Sequence, residues 1–191
     1  MPTTALTLEA ALRDDLAAHA ATLRVRGVVA HRITLWRDDR TLLRAYPDWA
    51  DEYERARLVA ALAAVARTLG ADALVFVADV YYALAPAALL SADPARESAL
   101  LGVSVEAHHS PRATVLPYGI ADDGEIVFRA GEGLDLAAAA GPLVDVVGAA
   151  LTLGTTPPAR ADARAALAVL EAAGVAVSLG DDLVEILDGP A

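Results

Sequence analysis

The stretch ALVFVADVYY, residues 73–82, decides the fold. Ten residues with one charge, rich in β-branched and aromatic side chains, predict a strand rather than a helix. Both of its alternating faces are apolar, so the strand belongs at the centre of a sheet, covered on both sides. Asp79 interrupts it and is the most unusual residue of the chain. A buried carboxylate is costly unless it is paired or hydrogen-bonded.

Outward from this strand, the chain alternates short sheet segments with helices. Residues 99–109 predict the next strand, with Leu101, Val103, Val105 and Ala107 on one face and Gly102, Ser104, Glu106 and His108 on the other. Ser110-Pro111 and the Asp122-Asp123-Gly124 turn lead through strands at 112–120 and 125–129, an antiparallel meander. On the N-terminal side, residues 49–69 predict a helix with the stripe Tyr53, Leu58, Leu62, Val65 and Leu69, ended by Gly70. Residues 28–36 and 41–46 form a hairpin across Arg37-Asp38-Asp39-Arg40. A helix over 7–24, capped by Thr7, comes first. The expected fold is α+β: a mainly antiparallel sheet of about five strands in the order ββ-α-βββ, with helices on one face.

Residues 83–97 hold Pro86 and Asp93-Pro94 and read as a loop. After Gly131-Glu132-Gly133, read as a turn, the composition shifts to Ala-rich helices near 135–151 and 159–173. The linker Thr155-Thr156-Pro157-Pro158 lies between them. A last hairpin is expected from 175–178 and 183–187. The domain reading is an α+β core over 1–133 and a C-terminal helical and hairpin appendage over 134–191.

The 191 residues contain no Cys, Lys, Asn or Gln, and carry a net charge of −11. Thiolate, Schiff-base lysine and Walker lysine chemistry are therefore excluded. An acidic chain repels phosphate backbones, and the strongest candidate basic patch, Arg24, Arg26 and Arg32, is sparse, so neither nucleic acid nor an anionic membrane is an expected partner. The apolar stretch 134–154 contains Asp135, Asp145, Pro142 and several glycines, which argues for a packed helix rather than a span. The N-terminus lacks the basic and apolar regions of a secretory signal, and a cytoplasmic setting is expected.

No metalloprotease, phosphate-loop or nucleophile-elbow motif occurs, and no cofactor or metal is expected. Three of the four Asp-Asp doublets fall where hairpins reverse, a place Asp suits by bonding local amides. His31 lies on an apolar strand face and reads as a core histidine. His108 and His109, as neighbours on a strand, would face opposite ways and not share an ion. The one constellation with catalytic content is Asp79, Glu106 and His108, if the sheet brings them together. Otherwise Asp79 marks an exposed strand end and pairs with Arg96 or Arg112. As a buried structural carboxylate, it would lose about 3–5 kcal/mol on Asp79→Ala.

The segments ALVFVADVYYAL (73–84) and DPARESALLGVSVEAHHS (93–110), with Pro117-Tyr118, carry a resemblance. Residues 50–120 resemble uncharacterised small α+β proteins of high-GC actinobacteria and their phages. This chain has Asp79 where that pattern has Glu, and Tyr81 where it has Trp. The Lys- and Asn-free, Ala- and Arg-rich composition fits the same source. The resemblance implies a sheet and no activity. The function expected is a non-enzymatic accessory or protein-interaction module that self-associates, since an Ala-rich surface loses little side-chain entropy on association. The competing classes are a hydrolase-like enzyme using Asp79, Glu106 and His108, and a small-ligand binder with the 83–97 loop as its lid.

Overall fold

The computed structural model describes residues 4–49, 51–82, 97–129, 141–152 and 157–189. Helix α1 (Thr4–Arg26) precedes the hairpin β1 (Arg32–Arg37) and β2 (Arg40–Tyr46). Helix α2 (Glu52–Leu69) leads to β3 (Ala73–Tyr82), β4 (Glu97–Glu106), β5 (Arg112–Ile120) and the short β6 (Ile126–Phe128). Helices α3 (Gly141–Gly148) and α4 (Arg160–Ala172), strand β7 (Ala176–Leu179) and helix α5 (Asp181–Asp188) complete the order.

The fold is α+β, and the seven strands among the described residues form one open antiparallel sheet, β6-β5-β4-β3-β1-β2-β7. Strand β3 is central, paired with β1 on one side and over its whole length with β4 on the other. The meander of β4, β5 and β6 is as expected. The sheet has seven strands among the described residues rather than about five, because β7, expected in a separate C-terminal hairpin, joins it outside the ββ-α-βββ order.

The helices lie on both faces, not one. Leu8, Leu12, Leu16, Ala20 and Leu23 of α1 pack on Val75, Val77 and Leu100. Helices α2, α3 and α4 pack on the opposite face, over Leu74, Phe76, Leu101 and Val103. The cause is in β3 itself: a strand apolar on both sides needs two covering layers. Gly102 lets α1 approach β4, since a Cβ there would lie 2.8 Å from the Cδ1 atoms of Leu12 and Leu16.

Local signals place several ends. Asp51 caps α2 by accepting from the Glu54 N–H, and Gly70 closes it in the left-handed region. Helix α2 thus starts after Trp49, and Tyr53 lies outside its buried stripe, 73% exposed. Helix α1 is already formed at Thr4, so Thr7 is inside it rather than its cap.

The expected C-terminal hairpin is corrected. Residues 181–188 are helical because Leu183, Ile186 and Leu187 recur at helical spacing and face the core, with Asp181 and Asp182 favourably placed in the first turn. Strand β7 instead pairs with β2, Leu43 opposite Leu179 and Tyr46 opposite Ala176.

Candidate functional site

The register of β3 against β4 decides the constellation read from the sequence. Asp79 lies opposite Leu100, whereas Glu106 lies opposite Ala73. The two carboxylates share a sheet face but stand six residues apart along β4 (106 − 100), about 20 Å at ~3.3 Å per residue. Strand β4 ends at Glu106, and His108 follows in a turn with φ +65°, exposed. Asp79 therefore does not converge with Glu106 and His108.

Asp79 has a partner that sequence reasoning did not name. The Tyr118 hydroxyl, from β5, donates to Asp79 Oδ1 at 2.8 Å. Arg112 is at the other end of β5 and lies 3.8 Å from Glu9 instead. Arg96 and the proposed 83–97 lid, except Glu97, fall outside the described residues, as does Gly131-Glu132-Gly133.

Glu106 instead meets His109. The turn after β4 brings the ring back, so that His109 Nδ1 lies 3.6 Å from Glu106 Oε2 and 3.1 Å from the Ala107 carbonyl. A carbonyl only accepts, so in the neutral ring Nδ1 carries the proton and Nε2 is left basic. The pair opens on a cleft of about 330 Å³ walled by Leu8, Glu9, Ser104 and Arg112. A histidine base held in one tautomer beside a carboxylate has the parts for proton transfer. Among the described residues no group of three or more His, Asp or Glu side chains is arranged to hold a metal ion.

Two further histidines are structural. His31 is half-buried against the Trp49 ring, centroids 4.6 Å apart, and near the Phe76 edge at 6.5 Å. Burial lowers its pKa, with Asp48 and Asp79 pulling the other way. His19, 4% exposed, sets Nδ1 2.8 Å from the Asp15 carbonyl and Nε2 3.3 Å from the Ala30 carbonyl. Burial is also the main reason its pKa is lowered. The Leu periodicity of α1 gave no sign that His19 would be enclosed, because its cover comes from residue 30.

The sharpest electrostatic tension is at the β1–β2 turn. Asp38 and Asp39 both have positive φ, +50° and +65°. The Asp38 N–H donates to Asp72 Oδ2 at 2.9 Å. Burial raises the Asp72 pKa, and the Asp38 and Asp39 charges add to it. Arg37, itself buried, donates to the Leu69 carbonyl at the end of α2 and lies 3.9 Å from Asp38. No helix among the described residues is long and apolar enough to cross a membrane. No family model, no curated protein and no solved structure matches the chain.

Proposed function

We propose that the protein is a non-enzymatic accessory module that acts through protein interaction and works as a homo-oligomer. The observation that carries this reading is the sheet edge at β7. Ala176, Val177 and Ser178 are exposed, and the strand AVSL has no charge and no proline. Among the described residues no strand lies beyond it. Edge strands are usually blunted by Lys, Pro or a bulge, and this one has none of these residues. A second copy added antiparallel along β7 satisfies the open backbone groups of both chains about a two-fold axis. The setting in this proposal is the cytoplasm of an actinobacterium or its phage, which rests on composition and on the resemblance over residues 50–120. Light scattering at micromolar concentration tests it. The expected result is dimer mass for the wild type and monomer mass for Val177→Lys with an unchanged thermal melt. A wild-type monomer would overturn it.

A specific contact favours a second reading, a hydrolase-like enzyme. It rests on Glu106 and His109 in the 330 Å³ cleft, with His109 in the role that the sequence suggested for His108 and without Asp79. Turnover of p-nitrophenyl acetate above the buffer rate, lost in both His109→Gln and Glu106→Gln, would support it. Equal rates in the wild type and the variants would remove it.

A further inference from the structure

A second cleft, of about 370 Å³, lies between α1 and the open end of the β1–β2 hairpin. Arg26 comes from the last turn of α1, and Arg32 and Tyr46 come from the sheet. The register that sets Ile33 opposite Ala45 puts Arg32 and Tyr46 side by side on the α1 face. Gly27, with φ +71°, ends α1 and turns the chain back, so that Val28 and Val29 form an apolar wall. His19 lies under that wall, its Nε2 3.3 Å from the Ala30 carbonyl.

Two features of this cleft ask for a ligand. Val28 is 70% exposed, an apolar side chain left open beside a concave surface. Two guanidiniums line the cleft and no carboxylate does. Asp15 stands beside Arg32, its Oδ1 2.6 Å from Nη2, and fixes that guanidinium in place. Asp15 thereby balances Arg32, and the charge the cleft presents is that of Arg26; the chain's −11 net charge does not cancel it, because screening confines charge effects to about 8 Å at physiological salt. Mainly apolar walls with a few placed polar groups are the usual make-up of a small-molecule site. Arginine is the side chain whose planar fork matches a carboxylate.

We infer that this cleft binds a small amphiphilic carboxylate, with its head on Arg26, Arg32 and the Tyr46 hydroxyl and its apolar body along Val28 and Val29. The site uses neither β7 nor the Glu106–His109 pair, so it stands apart from both readings above.

Octanoate is the probe, with octanamide as its neutral counterpart, followed by amide shifts in nitrogen–proton NMR spectra. The expected result is saturable shifts at Thr22, Val28 and Val29 with octanoate. Octanamide should bind about tenfold more weakly, the ratio that follows from losing about 1.4 kcal/mol of charge-assisted bonding. Arg26→Gln, at an exposed position that does not bear on folding, should weaken octanoate severalfold and leave octanamide unchanged. Absence of saturation at millimolar octanoate would overturn the inference. So would equal affinity for the two probes, shifts that map elsewhere, or an Arg26→Gln variant that binds octanoate as the wild type does.

Discussion

The Tyr118 hydroxyl reaches across β4 to donate a 2.8 Å hydrogen bond to Asp79 Oδ1. Among the described residues, the one carboxylate in the central strand is therefore held by a neutral phenol. A hydrogen bond to a charged acceptor is worth about 1.5–3 kcal/mol, less than a broken buried ion pair. Asp79→Ala is accordingly expected to lose about 1–2 kcal/mol, below the 3–5 kcal/mol scale of a buried pair. Asp79→Asn keeps an acceptor for the phenol and should lose less than Asp79→Ala. Urea unfolding of both variants checks the order. A loss on the ion-pair scale for Asp79→Ala would show that a cation also serves Asp79.

The β1–β2 tip is expected to yield a stabilised protein. Left-handed backbone costs a non-glycine residue about 1 kcal/mol, and a two-residue hairpin turn with both φ positive prefers glycine at its second position. Asp39 fills that position with a charge that also opposes ionisation of Asp72. Asp39→Gly should raise stability by about 1 kcal/mol and lower the Asp72 pKa toward the ordinary carboxylate value. The sign for Asp72 follows from its raised folded-state pKa. Its charged form weakens the fold at neutral pH, and that weakening fades as pH falls through the folded-state value toward 3.8. Carbon-detected titration of the Asp72 carboxyl in the wild type and in Asp39→Gly reads the second effect. An unmoved titration would mean that burial and Asp38, without Asp39, raise Asp72.

His19 sets an acid limit. Its folded-state pKa lies below the ordinary 6.5, chiefly through burial, with Arg32 adding to the effect. A depressed histidine leaves stability intact above pH 6.5 and removes it as pH falls from 6.5 toward the folded-state value. His31 shifts the same way, so the two act together. Urea midpoints should therefore fall between pH 7.5 and pH 5.5. The fall should be shallower in His19→Gln and shallower still in His19→Gln with His31→Gln. An unchanged slope in both variants would place the acid sensitivity elsewhere.

What the sequence made legible was local. The doubly apolar run of β3 predicted its central place, Gly70 predicted the end of α2, and the turn residues predicted the β4–β5–β6 meander. What it concealed was tertiary. The segment Leu183-Val184-Glu185-Ile186-Leu187 fits both a strand and a helix over so short a length, and contact with the core selects the helix. The pairing of β7 with β2 joins residues far apart in the chain and has no local signature. The site turned on one strand end. Had β4 continued through His108, that ring would have shared a face with Glu106. Because the strand stops at Glu106, the turn delivers His109 instead. Asp79 and Glu106 looked close because they share a face, and only the register shows the distance between them.

Two glycines give a last test, since both fit where a side chain would not but meet different neighbours. A Cβ at Gly180 would lie 1.8 Å from the Thr41 carbonyl oxygen, a backbone atom of β2. The Gly180 N–H meanwhile donates to the Leu42 carbonyl at 2.8 Å, so this residue holds the end of β7 against β2. A Cβ at Gly102 would meet Leu12 and Leu16 side-chain atoms at 2.8 to 2.9 Å. Side chains can rotate away at the usual overpacking cost of about 1–3 kcal/mol, whereas a sheet backbone cannot move without breaking its ladder. Gly180→Ala is therefore expected to destabilise more than Gly102→Ala in urea unfolding. It should also free the β7 amides, read as faster hydrogen exchange at Val177 and Leu179, while β3 amides stay protected. A Gly180→Ala protein as stable as Gly102→Ala, with β7 still protected, would mean that β2 and β7 are less closely seated than the 1.8 Å approach requires.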